Sequence, residues 1–205
     1  MPLIEAEPYL PAKKLLLVGL PAFILAAVVS TLTHQYAHIF ASTLLCGVGR
    51  SPGTIPVTAA DFHAFEAAPC ALASLAGPAW TFVAALASFA WYMRQPQNLF
   101  IGALAFVNAS TRLPETITVS LQLLFHNRAK LAVDESASLA LLNLKDPTVS
   151  VVLMFFYCLV TAFLTVTIVH DTKTVPWKWL VALGLFVLLR PLEHLIWGAA
   201  DALLY

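Results

Sequence analysis

Apolar positions along this chain come in long runs. They do not alternate as in a strand, nor form the narrow stripe of a water-facing helix. The longest run covers residues 15 to about 48, which hold no Asp, Glu, Lys or Arg. Others occupy residues 67 to about 93, 99 to about 126, 148 to about 169 and 176 to about 200. A helix crosses the ~30 Å hydrocarbon core of a bilayer with about 20 apolar residues. The pattern therefore predicts an all-α, polytopic membrane protein of about five spans. The first run exceeds that need: at 1.5 Å per residue it would reach ~50 Å, so it must tilt, project or break.

Between the runs lie two polar stretches. Residues 50–66, "RSPGTIPVTAADFHAFE", combine two prolines and a glycine with most of the local charge and read as a loop, with room for a short re-entrant part. Residues 128–147 form a second loop, in which Asp134 suits the N-cap of a short amphipathic helix burying Leu139, Leu142 and Leu144. One membrane domain, 1–205, accounts for the chain. No cleavable signal peptide is expected, because the polar, Pro-containing start leads into an apolar run too long for a signal core.

Composition sharpens the picture. The chain is 60% hydrophobic and 11% charged, with a mean hydropathy of +0.83; soluble domains carry about 25% charged residues. A net charge of zero gives no sign of nucleic-acid binding. The three cysteines, Cys46, Cys70 and Cys158, sit at irregular spacing in apolar sequence and read as buried small hydrophobes. With the N-terminus cytoplasmic, the cytoplasmic flanks hold Lys13, Lys14, Arg94, Lys173 and Lys178. The opposite side holds Arg50, Arg128, Lys130 and Lys145, a slight positive-inside bias.

Within the first span, "HQYAH" puts His34 and His38 four residues apart. On a helix that spacing brings two side chains to one face, Cβ atoms ~5–6 Å apart, and allows two imidazoles to share a tetrahedral metal. Ionisable groups at membrane depth are functional candidates by default. In a zinc hydrolase of the HExxH type, the residue after the first His is a Glu that takes a proton from a metal-bound water. Gln35 stands there and cannot accept the proton. Loss of a positioned general base costs ~10²–10⁴ in rate.

"HQYAH" in the first span, "AGPAW" in the second and "NASTRLP" in the third follow a motif order that resembles the site-2 protease family of intramembrane zinc metalloproteases. The resemblance covers residues 15–127 and implies a three-helix metalloprotease-like core, with residues 148–205 as two additional spans. It implies zinc held by His34 and His38, Gln35 at the base position, and Gly77-Pro78, Asn108 and Leu113-Pro114 lining the substrate cavity. The substrate would be a transmembrane protein or peptide segment within the lipid bilayer, cleaved by metal-assisted hydrolysis. This chain departs from the family at Gln35, at Thr81, where Asn often follows Gly-Pro, and at Thr116, where the ligand Asp would fall. Asp134 is the favoured third ligand and Glu115, one residue from Thr116, the alternative. With Gln35 the chain is expected to bind metal and substrate with turnover nearly abolished. It is then either an enzyme disabled by one Glu-to-Gln change or a natural pseudoprotease.

The last span holds a second cluster. Arg190, Glu193 and His194 share a face, with Asp201 near it. They form either an intrahelical ion cluster or a polar lining of the cavity. Rival functions differ in what they require. A membrane di-iron oxygenase needs several more His boxes with adjacent His-His pairs, and the six histidines include no such pair. A CAAX-type protease would want a Glu-Glu motif on a span. A non-enzymatic accessory subunit of a membrane complex is the alternative that Gln35 supports.

Overall fold

A computed structural model describes residues 12–47, 68–114, 116, 117, 121, 125, 147–171 and 178–204. Among them every regular element is helical. A short turn, Ala12–Lys14, leads through a π-helical segment, Leu15–Gly19, into α1, Leu20–Cys46. Helix α2 is Ala68–Arg94, α3 Leu99–Ser110, α4 Pro147–Asp171 and α5 Lys178–Leu204. The long first run is thus one continuous helical stretch, π-helical over its first five residues, with no break. Gly47 ends α1 with φ of 68°, a left-handed conformation that places its N–H on the Thr43 carbonyl at 3.2 Å. Asn98 caps α3, its Oδ1 accepting from the N–H groups of Phe100 and Ile101 at 3.0 and 3.2 Å.

The expected third span is interrupted. α3 ends at Ser110, a turn covers Thr111–Arg112, and helical backbone resumes at Leu113-Pro114. Pro114 has no N–H to give the carbonyl four residues back, and it disfavours helical geometry in the residue before it. Three stretches are long and apolar enough to cross a membrane, Leu15–Leu45, Leu75–Arg94 and Lys178–Ala199; Leu99–Ser110 and Phe155–Asp171 are shorter apolar helices.

α1, α2 and α3 pack on one another most extensively; α4 leans on α3 and α5 on α1. The interfaces are lined with fully buried alanines, among them Ala26, Ala27, Ala73, Ala85, Ala105 and Ala109, which let backbones approach closely. Phe23, Tyr92, Ile101, Phe106, Val107, Ile168 and Leu189 fill the remaining core. Large apolar side chains such as Phe40, Val83, Phe163, Leu180 and Leu195 point outward. Polar ones turn inward: Ser30, Thr31, His34, Gln35, His38 and Ser42 are all buried on α1. An apolar exterior over a partly polar interior is what lipid contact demands, and this is a membrane protein built of transmembrane helices.

Candidate metal centre

His34, His38 and Ser42 follow Ser30 at intervals of four, so α1 turns one polar ridge into the bundle. α2 answers with a ridge of the same period: Ala73, Gly77, Thr81 and Ala85, all buried. The helices run antiparallel along these ridges, so His34 meets Thr81 and His38 meets Ala73. His34 Nδ1 lies 2.8 Å from Thr81 Oγ1, and His38 Nδ1 lies 3.0 Å from the Ala73 carbonyl oxygen. The two Nε2 atoms face each other at 3.2 Å, with the rings edge to face at 79°.

Gly77 makes this approach possible. A Cβ there would stand 2.6 Å from His38 Cδ2 and 2.7 Å from His34 Nε2, closer than side chains pack. The imidazoles occupy the space that any other residue would fill.

Proton positions at His34 depend on which way the Thr81 hydroxyl turns. A carbonyl only accepts, so His38 donates Nδ1–H to Ala73. Thr81 has one hydroxyl proton, and its Oγ1 donates to the Gly77 carbonyl at 3.1 Å. Oγ1 is then an acceptor for His34 Nδ1–H. With the Thr81 hydroxyl turned to Gly77, both rings carry their protons on Nδ1 and the two Nε2 atoms face each other as acceptors. A cation between them removes the repulsion. If Thr81 instead turns its proton to His34, His34 Nε2–H donates to His38 and the Gly77 carbonyl gives up the Thr81 bond.

The donor set fits a divalent ion. Two nitrogens bound to one tetrahedral zinc at ~2.0–2.1 Å stand about 3.3–3.4 Å apart. The observed 3.2 Å is close to that value. Ligating histidines characteristically donate the other ring N–H to a hydroxyl, carbonyl or carboxylate, which fixes tautomer and orientation. Thr81 Oγ1 and the Ala73 carbonyl stand where such acceptors would. Among the described residues no third His, Cys, Asp or Glu joins the pair. Both expected third ligands, Asp134 and Glu115, lie outside the described residues, as do the 50–66 loop, His63 and His126.

Gln35 is buried beside His34. Asn108 is buried and donates Nδ2–H to Ser88 Oγ at 3.3 Å, tying α3 to α2. Pro78 is buried within α2, and Pro114 is half-buried beyond the α3 turn. Thr116 is fully buried and bonds its own turn, Oγ1 donating to the Leu113 carbonyl at 3.1 Å. On α5, Arg190 Nη1 donates to the buried Glu193 carboxylate at 3.2 Å. His194 parts from them: it is exposed and sets its ring edge-on to Trp197. Its step of four from Arg190 falls at the outer margin of the buried stripe. His170 is exposed, 3.0 Å from Asp171.

The residues missed in the sequence are those behind the histidines. Thr81 counts as a departure from the family motif, yet it orients His34. The Ala73 partner is a backbone carbonyl, which no side-chain pattern reveals. The recoverable signal is the period: small residues at 73, 77, 81 and 85 opposite a polar ridge at 30, 34, 38 and 42. No family model, curated protein or solved structure matches this chain.

Proposed function

We propose that this chain is a site-2 protease-like membrane protein of five spans. It holds zinc between His34 and His38, and Gln35 at the base position keeps hydrolysis off. The observation that carries this is the pair of Nε2 atoms 3.2 Å apart, each ring anchored from behind by α2. Zinc bound there would supply a Lewis acid for a peptide carbonyl and for water. The third ligand is Asp134 in this proposal, with Glu115 as alternative.

The chain's own residues define the rest. α1 and α2 present both histidines to one point inside the bundle, away from lipid. Gln35 offers a carboxamide that can hold a water by hydrogen bonds but cannot take its proton. The interruption after Ser110 puts a polar turn, Thr111–Arg112, within the third apolar run. The occupant is thus a membrane-embedded peptide helix that is bound and not cut.

Metal content tests the proposal. Protein purified in detergent without chelators should carry about one zinc per chain, and His34→Ala and His38→Ala should carry almost none while remaining helical. Folded wild-type protein without divalent metal would overturn the zinc centre and leave the accessory-subunit alternative. Gln35→Glu divides the two origins of the inactive site. Cleavage of a single-span substrate marks an enzyme disabled at one position; bound metal without cleavage marks a pseudoprotease.

A further inference from the structure

About 15 residues before the histidines, or ~22 Å along the helix, lies a cavity of about 320 Å³. It is formed where the π segment and start of α1 meet the loop after α2, the start of α3, the end of α4 and the start of α5. Its wall is almost wholly apolar and includes Phe23, Tyr92, Gly102, Ile168 and Leu185. Its volume lies in the range of small-molecule sites. Leu16 and Leu20, which also line it, are exposed on the outer surface, so the cavity opens sideways toward lipid. The π turn, Leu15–Gly19, contributes Leu15, Leu16 and Gly19 to the wall.

Charge at this end is one-sided. Lys178 lines the cavity itself, and its ammonium donates to the carbonyl of His170 at the end of α4. Lys13 and Lys14 precede Leu15 directly and are exposed. Arg94, also exposed, ends α2 two residues before Pro96 in the wall. Among the described residues at this end the acid is Asp171, which His170 engages at 3.0 Å.

A lipid-facing apolar cavity bordered by cations matches one ligand chemistry. We propose that it binds an anionic phospholipid, one acyl chain filling the cavity and the phosphate lying against Lys14, Arg94 and Lys178. Apolar wall and basic rim act on different parts of that molecule, so they can be separated experimentally.

Whole protein, delipidated in detergent, is titrated with phosphatidylglycerol or phosphatidylcholine of the same chains, and bound lipid is counted by native mass spectrometry. Phosphatidylglycerol should saturate at about one per chain and bind more tightly than phosphatidylcholine. Lys14→Ala and Arg94→Ala should each weaken phosphatidylglycerol about fivefold and leave phosphatidylcholine unchanged. Ala103→Trp and Ala182→Trp, which fill the cavity from two different helices, should remove tight binding of both lipids in protein that remains helical and monodisperse. Equal affinity for the two lipids in the wild type overturns the proposal, as does undiminished phosphatidylglycerol binding in Lys14→Ala and Arg94→Ala. Tighter lipid binding after deletion of residues 1–11 would instead assign the cavity to the chain's own N-terminal segment. Competition by soluble glycerol phosphate at equal affinity would assign it to a free phosphate.

Discussion

Two polar clusters among the described residues are built on different plans. Arg190 and Glu193 lie one turn apart on α5 and neutralise each other across 3.2 Å. One helix supplies both the acceptor and the donor. His34 and His38 also lie one turn apart, but they present like atoms to each other, and a second helix holds them so. Two imidazoles with Nδ1 held by α2 turn their Nε2 atoms toward each other, and the proposed zinc site rests on that arrangement. Spacing on the helix therefore does not separate the two arrangements; the packing of the neighbouring helix does.

The sharpest way to break this contrast is at Gly77. Alanine there puts a methyl group 2.7 Å from His34 Nε2 and 2.6 Å from His38 Cδ2. The rings must turn away or α1 must part from α2. Zinc should be lost entirely, and stability should fall by about 1–3 kcal/mol, the usual effect of overpacking. Metal analysis and thermal unfolding of Gly77→Ala in the same detergent read both effects. Full zinc occupancy in that variant would show that the metal does not sit between these rings.

Thr81 comes next. Thr81→Val keeps the shape and removes the acceptor behind His34 Nδ1. Loss of such an outer partner typically lowers metal affinity 10–100-fold. Thr81→Ser should stay near the wild type, because its hydroxyl can still bridge Gly77 and His34. Competition with a zinc chelator of known affinity measures the three proteins side by side. An unchanged affinity in Thr81→Val would place the orientation of His34 elsewhere.

Arg190→Ala should act on stability alone. It removes one donor from the buried Glu193 carboxylate. Arg190 is itself about a third exposed, so the expected loss is about 1–2 kcal/mol, toward the low side for a charged hydrogen bond. Zinc content should stay at the wild-type level. Loss of metal in folded Arg190→Ala would join the two clusters into one site.

The sequence shows these regions unequally. The long apolar runs predict helices at 67–93, 148–169 and 176–200, close to the observed α2, α4 and α5, because lipid solvation leaves a twenty-residue signature that local propensity cannot hide. The motif "NASTRLP" puts a proline within the third run, and α3 ends four residues before it. The break falls at Ser110 because Pro114 withdraws one N–H, a backbone effect visible in sequence only as a proline. The His pair is legible from its spacing, and Gly77-Pro78 from the family motif that it resembles. What the glycine does is not legible. That its missing Cβ is where the imidazoles lie depends on the antiparallel register of α1 and α2, a tertiary fact. For the same reason His194, four residues from Arg190, belongs by spacing to the α5 cluster but is exposed in the fold. The third ligand stays a sequence-based expectation, Asp134 or Glu115, since both lie outside the described residues.

The smallest effect is the most exact control on the contrast. Gly184 and Gly198 both lie within α5, and a Cβ added at either meets nothing within 4 Å. In these positions glycine is only a weak helix former. Gly184→Ala and Gly198→Ala should leave zinc content unchanged and raise stability by at most about 1 kcal/mol, the propensity difference between the residues. The chemical change is identical to that in Gly77→Ala, one hydrogen replaced by one methyl group in an apolar helix. If it abolishes metal binding at 77 and does nothing at 184 and 198, the cause is the approach of α1 to α2, not helix flexibility. If all three variants lose metal alike, glycine acts through the backbone throughout this bundle, and the close fit at Gly77 does not explain the site.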